Sequence, residues 1–191
     1  MKTLVVALGG NALLQRGEAL TAENQYRNIA DAVPALALLL EPDMPPVTAV
    51  LTRIKVSADD PAFLEPEKFI GPVYSPEEQM ALEATYGWHM KRDGKYLRRV
   101  VASPAPRQII ESAAIELLLK EGHVVICSGG GGVPVAGEGE GVEAVIDKDL
   151  AAALLAEQIG YVKRCGKPAW IGALSRIDDT LAGRAGTCIC L

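Results

Sequence analysis

The chain has 191 residues, of which 49% are hydrophobic and 23% are charged, and its formal net charge at pH 7 is -5. This length suits a single domain, 1–191, and the composition is that of a globular core, which excludes wholesale disorder. A nucleic-acid backbone is held by basic surfaces, so the negative charge argues against nucleic acid as the main partner. No apolar run approaches the roughly 18 residues of a membrane helix, so we expect no membrane partner and a cytoplasmic location.

Predicted strands and helices alternate along the chain. Runs of β-branched and apolar residues predict strands over 3–8, 47–56, 123–127, 168–174 and 186–191. The segment GKYLRRVVASPAP, residues 94–106, is predicted to hold a turn, a strand and a loop that proline ends. Apolar residues at helical spacing predict helices after the N-cap Thr21, with Pro34 as a kink, over 107–122 and over 147–166. Residues 58–78, rich in proline and acidic groups, are expected to be irregular. This alternation predicts an α/β fold with a mostly parallel open sheet and helices on both faces.

Two glycine-rich turns follow predicted strands. Gly9, Gly10 and Asn11 end strand 3–8, and four glycines, 129–132, end strand 123–127. Carboxyl ends of parallel strands share one edge, where ligands bind, so both turns are expected there. Successive N–H groups on glycine can hold a phosphate closely. A tight connection is the better explanation of either turn alone, by about two to one, but the two together favour anion binding.

A charged triplet begins the predicted helix 147–166. Asp147 is a reasonable N-cap, and Lys148 and Asp149 follow it. Phosphoryl transfer depends on positioned cations that neutralise the moving group, so Lys148 is interpreted as reaching an anion and Asp149 as orienting that lysine. A solvated triplet explains the same three residues equally well. Lys68, in a loop constrained by proline and glycine, is a weaker candidate by itself.

No metal site is predicted from the cysteines and histidines. These are Cys127, Cys165, Cys188, Cys190, His89 and His123. The cysteines form no CxxC pair and have no histidine at metal-ligand spacing, and the two histidines are isolated. We therefore expect reduced, structural cysteines and histidines that serve packing or the surface.

Five collinear segments together resemble the carbamate kinases of the amino acid kinase family. They are VVALGGNAL, LTRIKVSADDPAF with EPEKFIGPVY, RRVVASPAP, VVICSGGGGVPV and GVEAVIDKDLAAALLA. The resemblance implies a three-layer αβα sandwich, a protruding lid-like segment over about 58–100, and a homodimer. It also implies an enzyme that transfers phosphate from carbamoyl phosphate to ADP, with Mg²⁺, giving ATP and carbamate, which breaks down to ammonia and carbon dioxide.

The resemblance also assigns roles to the two glycine turns. By similarity, Gly9, Gly10 and Asn11 hold the transferred phosphoryl group. Gly130 and Gly131 lie on the same edge, against the substrate. Together they form the phosphate- and substrate-binding set.

Three charged residues receive catalytic roles from the same resemblance. Lys148 contacts the phosphates, and Asp149 organises the lysines. Lys68 belongs to the lid-like segment and closes over the carbamoyl phosphate. No metal ligand is assigned among them.

Two internal segments of the family are missing from this chain. The first, with a His-Gly-Asn-Gly-Pro-Gln motif, is expected near ALALLLEPDMPPVTAV; the second, with a Thr-Asp-x-Asp pattern and a further lysine, is expected near LLAEQIGYVKRCG. Their loss predicts a more open, wetter crevice with weaker electrostatic contacts. Two other functions stay open: an amino acid kinase for glutamate or acetylglutamate, and a shortened or engineered scaffold that catalyses little.

Overall fold

The computed structural model describes residues 5–8, 18–19, 21–37, 45–159, 169–171, 179–180, 182–185 and 187–189. The helices are α1 (Ala22–Ala37), α2 (Pro76–Tyr86), α3 (Ser112–Lys120) and α4 (Lys148–Gln158), and 3₁₀ turns span Pro61–Phe63 and Gly129–Gly131. The strands are β1 (Val47–Ala49), β2 (Arg53–Lys55), β3 (Lys68–Tyr74), β4 (His89–Asp93), β5 (Tyr96–Val101), β6 (Gln108–Ile109), β7 (Val124–Ile126), β8 (Val133–Ala136), β9 (Glu140–Gly141), β10 (Ala169–Ile171) and β11 (Thr187–Ile189). None of the helices described has the length and apolarity that a bilayer span requires.

The strands belong to mixed sheets. Within the described residues, one sheet has the order β6-β2-β8-β9 and another the order β3-β5-β4, while β1 pairs with β7 and β10 with β11. Pairing is parallel between β1 and β7 and between β2 and β8, and antiparallel in the other pairs. The α/β class is thus confirmed. The described sheets are mixed and not mostly parallel as expected: two of the seven strand pairs are parallel, and these two flank the second glycine turn.

The predicted strand 47–56 is interrupted opposite that glycine turn. Val47–Ala49 pairs in parallel with Val124–Ile126, and Arg53–Lys55 resumes parallel pairing with Val133–Val135. Between the two paired stretches, residues 50–52 face the longer stretch 127–132. The longer stretch contains the glycine turn, which therefore lies between the two parallel strand pairs.

The first two predicted elements differ in outcome. Helix α1 begins as expected, because the Thr21 Oγ1 accepts a hydrogen bond of 3.2 Å from the Asn24 N–H. Pro34 lies inside the helix. The strand predicted over 3–8 is not formed at residues 5–8, the part of it that the structure describes.

The predicted helix 107–122 is shorter in the structure. Gln108–Ile109 forms strand β6, which pairs antiparallel with β2, and α3 occupies only Ser112–Lys120. Both ends have a physical cause: sheet pairing overrides helix propensity at the start, and Gly122, with φ +84°, follows the last turn.

The segment 58–78 is more regular than predicted, because its prolines stand where regular structure tolerates them. Pro76 occupies the first turn of α2, where its missing N–H is not needed. Pro72 lies in β3 where the pairing with β5 shifts register, between Ile70 and Val73. The expectation of an irregular excursion was therefore wrong for β3 and for the start of α2.

The core lies between the β6-β2-β8-β9 sheet and helices α3 and α4. Its buried residues are Ile54, Val56, Ile109, Ile115, Ala136, Ile146, Ala151 and Leu155. Fully burying a side chain the size of isoleucine contributes about 1.5–3 kcal/mol to folding. Because Ile146 is 1% exposed and immediately precedes the N-cap of α4, the core fixes where that helix begins.

Candidate active site

Helix α4 begins with a carboxylate that is used twice. Asp147 is the N-cap, and its Oδ1 accepts a hydrogen bond of 2.9 Å from the Asp149 N–H. Its Oδ2 lies 2.8 Å from the Nζ of Lys68. The N-cap role of Asp147 agrees with the prediction, whereas its contact with Lys68 could not be foreseen, because these residues are far apart in sequence. The helix ends at Gln158, before the predicted stop; residues 160–168 lie outside those described.

Lys68 is placed by a strand, not by a loop. It is the first residue of β3 and pairs with Val101 of β5. The Lys68 side chain is 38% exposed and that of Asp147 is 33% exposed, so water screens the pair only partly. The hydrogen bond from Lys68 is the main cause of a lowered pKa at Asp147; the Asp149 N–H adds to it, and burial opposes both.

Lys148 and Asp149 form a second lysine–carboxylate pair at the same helix start. The Lys148 Nζ donates to Asp149 Oδ1 at 2.7 Å. The contact that our interpretation of Asp149 requires is therefore present. Because the two side chains are 41% and 72% exposed, the pair adds little to stability, and the lysine is accessible to an incoming anion.

The glycine turn packs directly against the residue before Asp147. A Cβ on Gly131 would lie 2.2 Å from the backbone oxygen of Ile146, and one on Gly132 would lie 2.5 Å from the Ile54 side chain. A Cβ on Gly130 would meet nothing within 4 Å. The turn thus approaches the start of α4 through Gly131, while Gly130 borders open space.

The backbone donors of the turn are partly committed within the protein. The Gly131 N–H donates to the Ser128 oxygen at 2.9 Å, and the Gly132 N–H donates to the Gly129 oxygen at 3.1 Å. Gly131 therefore contributes a close approach of the backbone, and an anion at this turn would have to be held from the side of Gly130. This distinction within the predicted glycine set is visible only in the structure.

Thr52 is a structural support that the sequence interpretation missed. It is 3% exposed, its Oγ1 donates to the Val50 oxygen at 2.9 Å, and the same Oγ1 accepts from the Ser128 N–H at 2.9 Å. It ties the strand interruption to the first residue of the glycine turn. A threonine inside a predicted strand carries no spacing signal, because its partner, Ser128, is 76 residues away in the sequence.

The predicted site residues are only partly described. Lys68, Lys148, Asp149 and Gly131 surround the start of α4, either directly or through Asp147 and Ile146. Gly9, Gly10 and Asn11 lie outside the described residues. The predicted meeting of the two glycine turns therefore stays a prediction.

The donor set at this site suits an anion better than a resident metal. Within the described part of the chain, no cluster of three histidine, cysteine or acidic residues could hold a metal ion. Asp147 and Asp149 are each bonded to a lysine. An ammonium group has three N–H donors, so Lys68 and Lys148 each keep donors for phosphate oxygens after serving one carboxylate.

His123 and Cys127 both lie in partly buried positions at the two ends of β7. His123 Nδ1 lies 2.8 Å from the Thr48 Oγ1, which joins β7 to β1. Burial raises the pKa of the Cys127 thiol. Both observations agree with the packing roles expected from the sequence.

Comparisons with known proteins define the class first. The model of the amino acid kinase family matches residues 77–165, which include the glycine turn and the start of α4. A chain from Aeropyrum pernix K1 has a similar structure, with a TM-score of 0.77 and 26% identity over 95% of this chain and 97% of its own. These matches assign the fold to the amino acid kinases, a class of phosphotransferases.

Full-length comparisons then give the particular family. A carbamate kinase of Escherichia coli K12 is 54% identical over 297 aligned positions that cover all of both chains. A carbamate kinase of Thermococcus kodakarensis is 36% identical and covers 94% of this chain and 82% of its own. The chain belongs to the carbamate kinases. A Giardia lamblia carbamate kinase bound to citric acid shares the fold, with a TM-score of 0.83 at 23% identity over 95% of this chain and 96% of its own.

The alignment also bears on the missing segments. It spans 297 positions, whereas this chain has 191 residues. Stretches of the Escherichia coli relative therefore face gaps in this chain. That agrees with the expectation that internal segments of the family are absent.

Proposed function

We propose that this chain transfers the phosphoryl group of carbamoyl phosphate to ADP and so forms ATP and carbamate. The observation that carries the proposal is the pair of accessible lysines, Lys68 and Lys148, each hydrogen-bonded to a carboxylate at the start of α4. Its support is the 54% identity to a carbamate kinase over the whole chain. No observation favours a glutamate or acetylglutamate substrate.

The transfer needs charge to be neutralised more than it needs protons to be moved. A β-phosphate oxygen of ADP forms a bond to phosphorus, the bond from phosphorus to the carbamoyl oxygen breaks, and its electron pair leaves on carbamate. Negative charge spreads over the three equatorial oxygens of the moving group. Positioned ammonium groups stabilise that distribution, which is the role proposed for Lys148 and Lys68.

The glycine turns would supply the remaining contacts. Gly9, Gly10 and Asn11 are proposed to hold the transferred group through their backbone and amide donors. Gly130 is proposed to face the substrate, with Gly131 behind it against Ile146. The lid, residues 58–100, is proposed to bring Lys68 to the site as part of one domain, 1–191.

Other parts of the proposal concern the setting of the reaction. Because the two carboxylates at the start of α4, Asp147 and Asp149, are each bonded to a lysine, Mg²⁺ is proposed to arrive with the phosphates of ADP. A homodimer in the cytoplasm is proposed from the family alone. Light scattering on the purified chain tests the dimer, and a monomeric mass would reject it.

The proposal is tested by incubating the chain with carbamoyl phosphate, ADP and Mg²⁺ and following ATP with a coupled assay. We expect ATP formation in the parent and a loss of about a hundredfold or more in Lys148→Ala, comparable to the removal of a transition-state donor. Lys120→Ala is the matched control, because Lys120 pairs only with Glu116 on its own helix among the contacts described, and its activity should equal that of the parent.

Each alternative predicts a different result in the same assay. A catalytically weak scaffold predicts no ATP from a parent protein that is folded by circular dichroism. A glutamate-type kinase predicts ADP formation from ATP and glutamate without turnover of carbamoyl phosphate. Equal activity in Lys148→Ala and the parent would reject the role of Lys148.

A further inference from the structure

We propose that Asp147 is a positioning residue, which holds the lid lysine Lys68 at the phosphoryl-transfer site. The inference rests on the proposed function and adds that Asp147 and Asp149 each position a different lysine. Family resemblance assigns the organisation of the lysines to Asp149. In the structure Asp149 bonds Lys148, and a different carboxylate, Asp147, bonds Lys68.

The geometry of Asp147 suits it for this task. Its Oδ1 accepts the Asp149 N–H at 2.9 Å, so the carboxylate is fixed to the backbone of α4. Its Oδ2 then points at the Lys68 Nζ at 2.8 Å. A carboxylate that caps a helix has little rotational freedom left, so it offers the lysine one defined position.

The lid is tied to the same short stretch of chain by independent contacts. The Val145 N–H donates to the Ala102 oxygen at 2.9 Å, just beyond β5. Arg99 of β5 forms an ion pair with Glu143 and lies 4.5 Å from the centre of the Trp88 ring. The end of β5 is thus fixed beside residues 143–147. Because β5 pairs with β3, these contacts also hold Lys68 close to Asp147.

The chemistry requires a charged partner and not merely an acceptor. Lys68 donates one N–H to Asp147 and retains two N–H groups for phosphate oxygens. A charge-assisted hydrogen bond is about twice as strong as a neutral one. A neutral amide at position 147 would still cap the helix, but it would hold the lysine more loosely.

Asp147→Asn is therefore the informative variant. Asparagine is as good an N-cap as aspartate, so the unfolding midpoint should stay close to that of the parent. We expect kcat/KM for carbamoyl phosphate to fall about tenfold in Asp147→Asn and about a hundredfold in Lys68→Ala. In the Lys68→Ala background, Asp147→Asn should cause no further loss, because the residue acts through that lysine.

The control is a lysine–carboxylate pair that lies entirely within the lid. The Lys91 Nζ lies 3.5 Å from the Glu67 Oε1, and the two side chains are 47% and 77% exposed. Lys91→Ala should leave kcat/KM unchanged. Losses that multiply in the Lys68→Ala, Asp147→Asn double variant, or an Asp147→Asn variant as active as the parent, would overturn the positioning role.

A readout without turnover separates this inference from the proposed function. A ¹³C NMR titration of the aspartate carboxyl groups follows the pKa of Asp147. That pKa should lie below the ordinary aspartate range in the parent and should rise in Lys68→Ala, because the hydrogen bond from Lys68 is the main cause of the lowered pKa. An Asp147 titration unchanged by Lys68→Ala overturns the positioning role alone. A titration as expected in a parent that forms no ATP rejects the proposed function, and with it the role of Asp147 in positioning Lys68 for phosphoryl transfer, while the contact between the two residues stands.

Discussion

Adjacent glycines in the second turn meet different structural requirements. Gly131 has φ +98°, and a Cβ there would lie 2.2 Å from the Ile146 oxygen, a backbone atom that cannot rotate away. Gly130 has φ +64°, and a Cβ there would meet no atom within 4 Å. Left-handed backbone costs an L-residue roughly 1–2 kcal/mol wherever it occurs, so only Gly131 carries a steric cost in addition.

The two glycines therefore form a matched pair for mutagenesis. We expect Gly130→Ala to lower the free energy of unfolding by about 1 kcal/mol and Gly131→Ala by about 3 kcal/mol or more, since the second change also displaces the start of α4. Urea denaturation of the two variants and the parent measures both values. Equal losses would show that the close approach of Gly131 to Ile146 is absent in solution.

Residue types at the site could be predicted better than residue partners. The sequence marks Lys148, Asp149 and the glycine run, because a cation after an N-cap and consecutive glycines are local patterns. It cannot mark the bond of Lys68 to Asp147 or that of Thr52 to Ser128. Those contacts depend on which strands lie side by side, and no local pattern encodes that choice.

Asp60 links the 3₁₀ turn at the start of the lid to the loop that follows β5. Its Oδ1 accepts the Ala62 N–H of the 3₁₀ turn at 3.0 Å, and its Oδ2 accepts the Ala105 N–H of the loop after β5 at 3.0 Å. The Ala62 and Ala105 hydrogen bonds, with a smaller contribution from the charge of Arg107, lower the pKa of Asp60 against the opposing effect of burial. The ionised carboxylate of Asp60 therefore stabilises the contact between the 3₁₀ turn and the loop after β5.

Asp60→Asn should make the stability of the protein less dependent on acid pH. Because the folded pKa of Asp60 lies below the unfolded value of about 3.9, its contribution is complete above that value and is lost as the pH falls through the folded pKa. The parent should exceed Asp60→Asn in unfolding free energy at pH 6, and the difference should shrink below pH 4. Urea denaturation at both pH values measures it; a difference that grows on acidification would contradict the assignment.

Elements were predicted well where local signals agree with the packing. The caps Thr21 and Asp147 fix the starts of α1 and α4 as the sequence indicates. Gln108–Ile109 was mispredicted as helix, because pairing with β2 overrides the helical pattern. The residues of β3 were mispredicted as irregular, because proline was counted as a breaker although Pro72 falls at a register shift.

At the scale of the whole molecule, two consecutive parallel strand pairs, β1 with β7 and β2 with β8, organise the candidate site. Three residues, 50–52, connect β1 to β2, whereas six residues, 127–132, connect β7 to β8, and the longer connection contains the glycine turn. Ile54 of β2 and Ile146 before α4 share the core, so the turn is held against the helix start. The α/β class could be predicted from the alternation of strands and helices. The position of the glycine turn between paired strands could not be predicted, because it depends on the register between strands that are distant in sequence.

The shortened chain makes nucleotide binding the property that most needs a direct measurement. A ligand that binds only the folded state stabilises it by RT ln(1 + [L]/Kd), which is about 2.7 kcal/mol at a hundred times Kd. We expect ADP with Mg²⁺ to raise the unfolding free energy of the parent, and AMP to raise it less, because the lysines at the start of α4 are proposed to hold the terminal phosphates.

The comparison of ADP with AMP isolates the phosphate contribution, since both carry the same base and sugar. In Lys148→Ala the advantage of ADP over AMP should decrease, while the effect of AMP should persist. Equal stabilisation by the two nucleotides would place the terminal phosphates away from α4. No stabilisation by either would show that the segments absent from this chain carry the nucleotide site, and the proposed phosphotransfer would then fail for lack of an acceptor and not for lack of a lysine.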